Sequence, residues 1–294
     1  MRPLYHAPPN FLRHGSVGAR PILLQYLHHH ANRRSVLARA LKISLLVFLA
    51  LALLPALPSL GLAEDAATRP ADIIDAAQVA PGLVVEARYF GEHNFLGRPV
   101  KGYQAPLCLL TRRAALALAK VQAELKPLGL GLKVYDCYRP RRAVADFVAW
   151  AKALDDRATQ AEFYSTVDKK DLFAKGYIAE RSSHSRGSTV DLTIIPLPAP
   201  AQETYQPGNN LRPCYLPAAR RFGDNGLDMG TGFDCFHPLS HTANPAVGAQ
   251  QRANRLLLLS LMTRQGFKNY DLEWWHYTLE GEPYPDTYFD FPVR

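Results

Sequence analysis

Apolar positions change period several times along the chain, and each change marks an element. Leu83 to Tyr89 (L-V-V-E-A-R-Y) reads as a strand. Thr111 to Lys126 carries apolar residues at helical spacing, with Thr111 as cap and Pro127 as stop. Leu132, Val134 and Tyr135 lie in a short β run; after Pro140, a second helix is predicted from Ala143, Val144, Phe147, Val148, Ala151 and Leu154. Val190, Leu192 and Ile194 alternate with Asp191 and Thr193, so Thr189 to Ile194 predicts a half-buried strand with Asp191 on its other face. A stretch rich in proline, glycine and asparagine, from Pro196 to about Gly226, reads as an ordered inserted loop. A late helix near Ala249 to Gln265 and a final strand near Asp271 to Leu279 follow. Helices and strands that interleave without strict βαβ alternation predict an α+β fold, one mixed domain over residues 64–294.

Residues 1–63 follow another pattern: a basic region, the apolar run Ile43 to Leu54, then Pro55, Pro58 and small residues up to Ala63. This is the pattern of an export signal, removed near Ala63. Asn32-Arg33-Arg34-Ser35-Val36-Leu37 resembles a twin-arginine signal, and the Sec route fits equally. The apolar run is shorter than the roughly 20 residues of a spanning helix, and Pro55 interrupts it, so no stable membrane insertion is expected after removal. The triplet His28-His29-His30 falls in the discarded segment. The expected location is the periplasm.

The same segment accounts for the charge. The 294-residue chain has 34 basic and 26 acidic side chains, a formal net charge of +8. Residues 1–63 hold seven of the bases and no acid, which leaves 34 − 7 = 27 against 26. A nearly neutral domain gives no electrostatic footing for nucleic acid, and none is expected as a partner.

Two clusters carry chemistry. In S-S-H-S-R-G-S-T-V-D-L-T (182–193), His184 and Asp191 stand seven apart; alone, such a pair is usually a capped turn. In L-E-W-W-H-Y (272–277), Glu273 precedes His276 by three, and the two need a local turn to face one site. Two histidines and one carboxylate form a common catalytic zinc set that leaves a fourth position for water. His184, Asp191 and His276 are then the ligands of one zinc ion, with Glu273 as general base. In Y-D-C-Y-R-P (135–140), Arg139 sits where a strand gives way to a helix, placed to face an oxyanion. His237 and His241, separated by Pro238, are expected to be structural, and His93 is left without a role.

These stretches, together with Y-D-C-Y-R-P-R-R-A-V and the closing E-P-Y-P-D-T-Y-F-D-F-P-V, resemble the zinc D-alanyl-D-alanine dipeptidases of vancomycin resistance and D-alanine recycling, from about Val84 to Arg294. The family pattern S-x-H-x-x-G-x-x-x-D falls on Ser182, His184, Gly187 and Asp191, and E-x-W-H on Glu273, Trp275 and His276. The resemblance implies a hedgehog/D,D-peptidase-like fold with a central antiparallel sheet flanked by helices. It also implies Arg139 as the transition-state arginine, and Tyr89, Tyr103, Ser182 and Asp234 as residues that shape or contact the substrate. In a dipeptidase, Asp234 is suited to the substrate ammonium, whose absence from a longer peptide leaves the aspartate unpaired. The expected function is hydrolysis of the free dipeptide D-alanyl-D-alanine. A zinc carboxypeptidase trimming longer wall peptides and a non-catalytic zinc-stabilised module are the alternatives.

Cys108, Cys137, Cys214 and Cys235 all follow the signal and form no C-x-x-C pair. Disulfides suit an exported chain, and two bridges allow three connectivities. Cys214 with Cys235 and Cys108 with Cys137 is the favoured pairing, with buried free thiols the alternative for the second.

Overall fold

Alternating apolar residues build two long strands, and the rest of the main sheet assembles around them. The computed structural model describes residues 68–209 and 211–294. Within them run β1 (Ile73–Asp75), β2 (Val84–Val85), β3 (Leu109–Thr111), α1 (Arg112–Leu125), β4 (Leu130–Asp136), α2 (Arg141–Lys152), the single-turn α3 (Gln160–Phe163), β5 (Thr189–Pro196), α4 (Ala249–Arg264), β6 (Phe267–Asn269) and β7 (His276–Leu279). The expected export signal, its apolar run, the paired arginines and His28-His29-His30 lie outside the described residues. No helix among the described residues is long and apolar enough to cross a membrane.

Five strands form one sheet in the order β2-β4-β5-β7-β6, and β1 pairs with β3 apart from it. The expected mixture of helix and strand is present, but the main sheet is mixed rather than wholly antiparallel: β2 runs parallel to β4, and the other neighbours are antiparallel. Between β2 and β4 the chain makes β3 and α1, a crossover long enough to bring it back in its original direction.

Several expectations shift at their edges. Thr111 caps α1 by accepting from Ala114 N, and α1 ends at Leu125 before a 3-10 turn through Pro127. The strand expected over Leu83 to Tyr89 is regular only at Val84–Val85. Its backbone still donates to β4, from Glu86 N to Val134 O at 2.9 Å and from Arg88 N to Tyr135 O at 3.0 Å, before Phe90 N turns back to Ala87 O. Leu154 lies beyond α2 and is exposed. β5 is buried on both faces rather than one. Its polar face is covered by the returning loop, where Leu227 N donates to Ile194 O at 2.8 Å.

The loop from Pro196 to Gly226 is tied to the sheet by buried charge. Asp224 accepts from Arg88 at 2.9 Å, Lys133 at 2.8 Å and Tyr135 at 2.9 Å, and Lys133 also reaches Glu86 at 2.8 Å. Two cations thus face two carboxylates. Cys108 is bonded to Cys137 and Cys214 to Cys235, the pairs favoured from sequence. α1 lies against β4, and α4 against β6 and α1.

Candidate metal centre and substrate pocket

One row of the sheet sets three side chains of the site. Asp136 on β4 stands opposite Asp191 on β5, and Asp191 opposite His276 on β7. Residues directly opposite one another in antiparallel strands share a face, so all three project together.

His184 arrives from outside the sheet. Ser182 starts a 3-10 turn, Ser183–Arg186, by accepting from His184 N, and Gly187 ends it at φ 79°. A Cβ on Gly187 would lie 3.1 Å from Ile73 Cδ1, so the position suits glycine on both backbone and packing grounds. The spacing S-x-H-x-x-G is thus a capped turn that carries the histidine and then releases the chain into β5.

Glu273 reaches the same place through a turn. Glu273 N donates to Tyr270 O at 2.9 Å and His276 N to Glu273 O at 3.3 Å. The strand expected from Asp271 therefore begins only at His276. Without that turn, positions three apart would face opposite ways.

The donor atoms converge. His184 Nε2 lies 3.3 Å from His276 Nδ1 and 3.3 Å from Asp191 Oδ2, while His276 Nδ1 lies 3.2 Å from Asp191 Oδ1. Ligands at about 2.0–2.1 Å in a tetrahedron stand about 3.3–3.4 Å apart; the two imidazole nitrogens meet that spacing, each faces a different oxygen of Asp191, and one donor atom from each residue lies within 4.8 Å of the others, close enough to share a small cation. The Nδ1–H of His184 donates to the carbonyl of Cys137 at 2.7 Å, which fixes the ring with Nε2 turned toward the other donors. Asp191 Oδ1 is buried without a hydrogen bond. Two imidazole nitrogens and a carboxylate drawn so close are what a cation resolves, a metal taking the place of the His276 proton. This is the one such cluster of three among the described residues.

Beside the donors lies Arg139. Its Nε donates to Asp136 Oδ2 at 2.9 Å, its Nη2 is 3.5 Å from Asp191 Oδ2, and its guanidinium lies over the rings of Tyr89 and Phe147. Burial opposes the cation, yet acidic neighbours, Tyr89 and Asp136 first, hold it well above its ordinary pKa. Asp136 was not assigned from sequence; a carboxylate at a strand end, three residues before an arginine, was the available signal.

A cavity of about 220 Å³ opens on this group, lined by Tyr89, Phe147, Ser182, Asp234, Glu273 and His276 among others. Asp234 is buried, at φ 54°, and accepts from Tyr89 Oη at 2.7 Å. Burial, then repulsion from Asp191, pushes its carboxyl well above the usual carboxylate range. Asp191 is held low despite burial, by His184 and His276. Burial works against a charged His276 too, but Asp191 and Glu273 raise it to about 9.

Tyr103 differs from the other expected substrate residues. It is absent from the cavity wall and donates to Asp136 Oδ1 at 2.6 Å, steadying the partner of Arg139. His93, without a role in sequence, is a buried link between Arg88 and Glu162 at 2.8 and 2.7 Å. His237 caps a 3-10 turn through its Nδ1. A larger cleft, about 590 Å³, adjoins the site and shares Val144, Arg181 and Ser182 with the smaller cavity, but the metal donors do not line it.

Two imidazoles and one carboxylate around a common point, with a further carboxylate beside them, define a metallopeptidase centre. Residues 69–198 and 220–294 match the family described as D-ala-D-ala dipeptidase, and the chain belongs to that family of metallopeptidases. It is 39% identical over 216 residues to a D-alanyl-D-alanine dipeptidase of Streptomyces coelicolor, covering 74% of this chain and 95% of the relative. It is 38% identical over 214 residues to that of Enterococcus faecalis, covering 72% and 93%, and 33% identical over 215 residues to that of Escherichia coli, covering 73% and 88%. The family match breaks at 199–219, inside the loop that the sequence marks as inserted.

Proposed function

We propose that the protein is a zinc dipeptidase that hydrolyses free D-alanyl-D-alanine to two D-alanines, with His184, Asp191 and His276 holding one zinc ion. The observation that carries this is the convergence of those three donors with Glu273 and Arg139 at the wall of a small cavity that also contains Asp234. Zinc held by these three residues would supply Lewis acidity and would lower the pKa of a water to about 7. Glu273, 3.3 Å from His276, accepts a proton from the attacking water and returns it to the leaving amine. Arg139 faces the carbonyl oxygen as it gains charge, and Asp136 and Tyr103 keep the guanidinium aimed. The C–N bond breaks as the amine takes the proton.

Asp234 gives the preference for a free dipeptide. Burial and Asp191 disfavour its charged form, and a substrate ammonium would offset that cost; the uncharged amide of a longer peptide would not. Tyr89 orients it, and the Ser182 hydroxyl is available to the other end of the substrate. The adjoining cleft is the feature that favours the carboxypeptidase alternative, since it would house a longer peptide. We also place the protein outside the cytoplasm, in the periplasm after loss of residues 1–63. The basic and apolar leader and two disulfides support that location.

A substrate panel tests the reading. D-Alanyl-D-alanine should be cut faster than L,L- or L,D-dipeptides and faster than D-alanine is released from a wall pentapeptide; faster pentapeptide cleavage would reject it. A chelator should abolish turnover and zinc should restore it, with metal analysis returning one ion per chain.

A further inference from the structure

Asp234 is the one described non-glycine residue with a positive φ, 54°, and it is buried. Aspartate tolerates a left-handed backbone better than most residues, but it still favours negative φ unless its surroundings hold it there. Those surroundings can be enumerated. Arg255 on α4 grips the two ends of the loop, donating to Met229 O at 2.6 Å, Leu239 O at 2.8 Å and His241 O at 2.7 Å. In the middle, Phe233 is packed on Tyr135 and Trp275, which fixes the chain just before Asp234.

Just after Asp234 the anchor is covalent. Cys235 is bonded to Cys214. Cys214 is itself held twice by its backbone, donating to Glu162 O at 3.0 Å and accepting from Gly232 N at 2.9 Å, while Phe236 N donates to Phe163 O at 2.8 Å. Cys214 belongs to 199–219, the stretch outside the family match, whereas Asp234 and Cys235 lie inside it. The inserted loop therefore reaches back and fastens the residue next to the aspartate.

We propose that the Cys214–Cys235 bridge is a positioning device for Asp234, so that recognition of the substrate ammonium depends on the inserted loop and on the oxidised state of this pair. With the bridge open, Cys235 keeps its backbone contacts but loses its covalent stop, and Asp234 relaxes toward negative φ, drawing its carboxylate off Tyr89. The metal donors stand on other segments, β5, β7 and the 182–187 turn, and stay in place. The inference rests on the dipeptidase reading, in which Asp234 meets the ammonium.

The test compares D-alanyl-D-alanine with its N-acetyl derivative, which lacks the ammonium, in zinc-loaded protein carrying Cys214→Ser and Cys235→Ser together. The expected result is a rise in KM for the free dipeptide of about tenfold or more, a smaller change in kcat, an unchanged zinc content and a loss of preference over the blocked dipeptide. An unaltered KM and preference, with only a lower Tm, would overturn the proposal and leave the dipeptidase reading intact. A wild-type protein with no preference for the free dipeptide would instead remove the reading, and the proposal with it. If the double variant does not fold, the wild type is titrated with a phosphine reductant, thiol alkylation mapping which bridge has opened at each point. KM should then rise in step with free Cys214 and Cys235 and fall again on reoxidation; a KM that ignores them overturns the proposal.

Discussion

His276 stands between two carboxylates and the imidazole of His184, and in the metal-free chain that setting favours its protonated form. Asp191 and Glu273 raise it to about 9 against burial. Its folded pKa exceeds the ordinary value of about 6.5, so its contribution to stability is full below that pH and is lost as pH rises through 9. Metal affinity runs the other way, because zinc must displace the proton. Equilibrium binding against a metal buffer should show affinity climbing from pH 6.5 to 9 and flattening above, while the melting temperature of the metal-free protein falls over the same range. A flat affinity profile would contradict this account of His276. Glu273 belongs to the same scale. It is not among the three donors, so Glu273→Gln should lower kcat by about 10²–10⁴-fold while zinc stoichiometry stays at one per chain. Loss of zinc together with activity would mark it as a ligand instead.

At the scale of elements, the site is made by two turns set against one sheet row. Gly187 closes the first, with φ 79° and Ile73 close by. Gly187→Ala should cost about 1–3 kcal/mol in denaturant unfolding and lower zinc affinity, since the turn would move His184; equal stability and affinity would show that the turn tolerates a side chain. Much of this was legible beforehand. The spacing in S-S-H-S-R-G-S-T-V-D held a helical cap, a left-handed stop and a strand, each with its own local chemistry. Periodicity also finds α1 and α2, because a single apolar face settles a helix, and a short apolar run finds β4. The registers were hidden: nothing local says that Asp136, Asp191 and His276 lie opposite one another, since strand pairing is a long-range choice. For the same reason Asp136 stays unassigned in the sequence. Alternation also misread β5 as half-buried, because the covering loop lies far along the chain.

At the scale of the molecule, the inserted loop and the sheet are joined by Arg88 and Lys133 against Glu86 and Asp224. Lys133 is 1% exposed and sits on β4; Glu86 meets its charge from beside β2, and Asp224, Gln202 and Asn225 meet it from the loop. Removing one member of a buried, balanced group strands its partners. Lys133→Met should therefore destabilise the domain by about 3–5 kcal/mol in urea unfolding and open residues 198–226 to protease; a neutral result would mean that the loop is held chiefly elsewhere. The outer margins of the sheet matter differently. β2 contributes two residues and β6 three, and both margins pass quickly into turns. A neighbouring chain finds almost no free ladder of amides and carbonyls on which to add a strand, so crowding offers little route to fibril growth through this sheet.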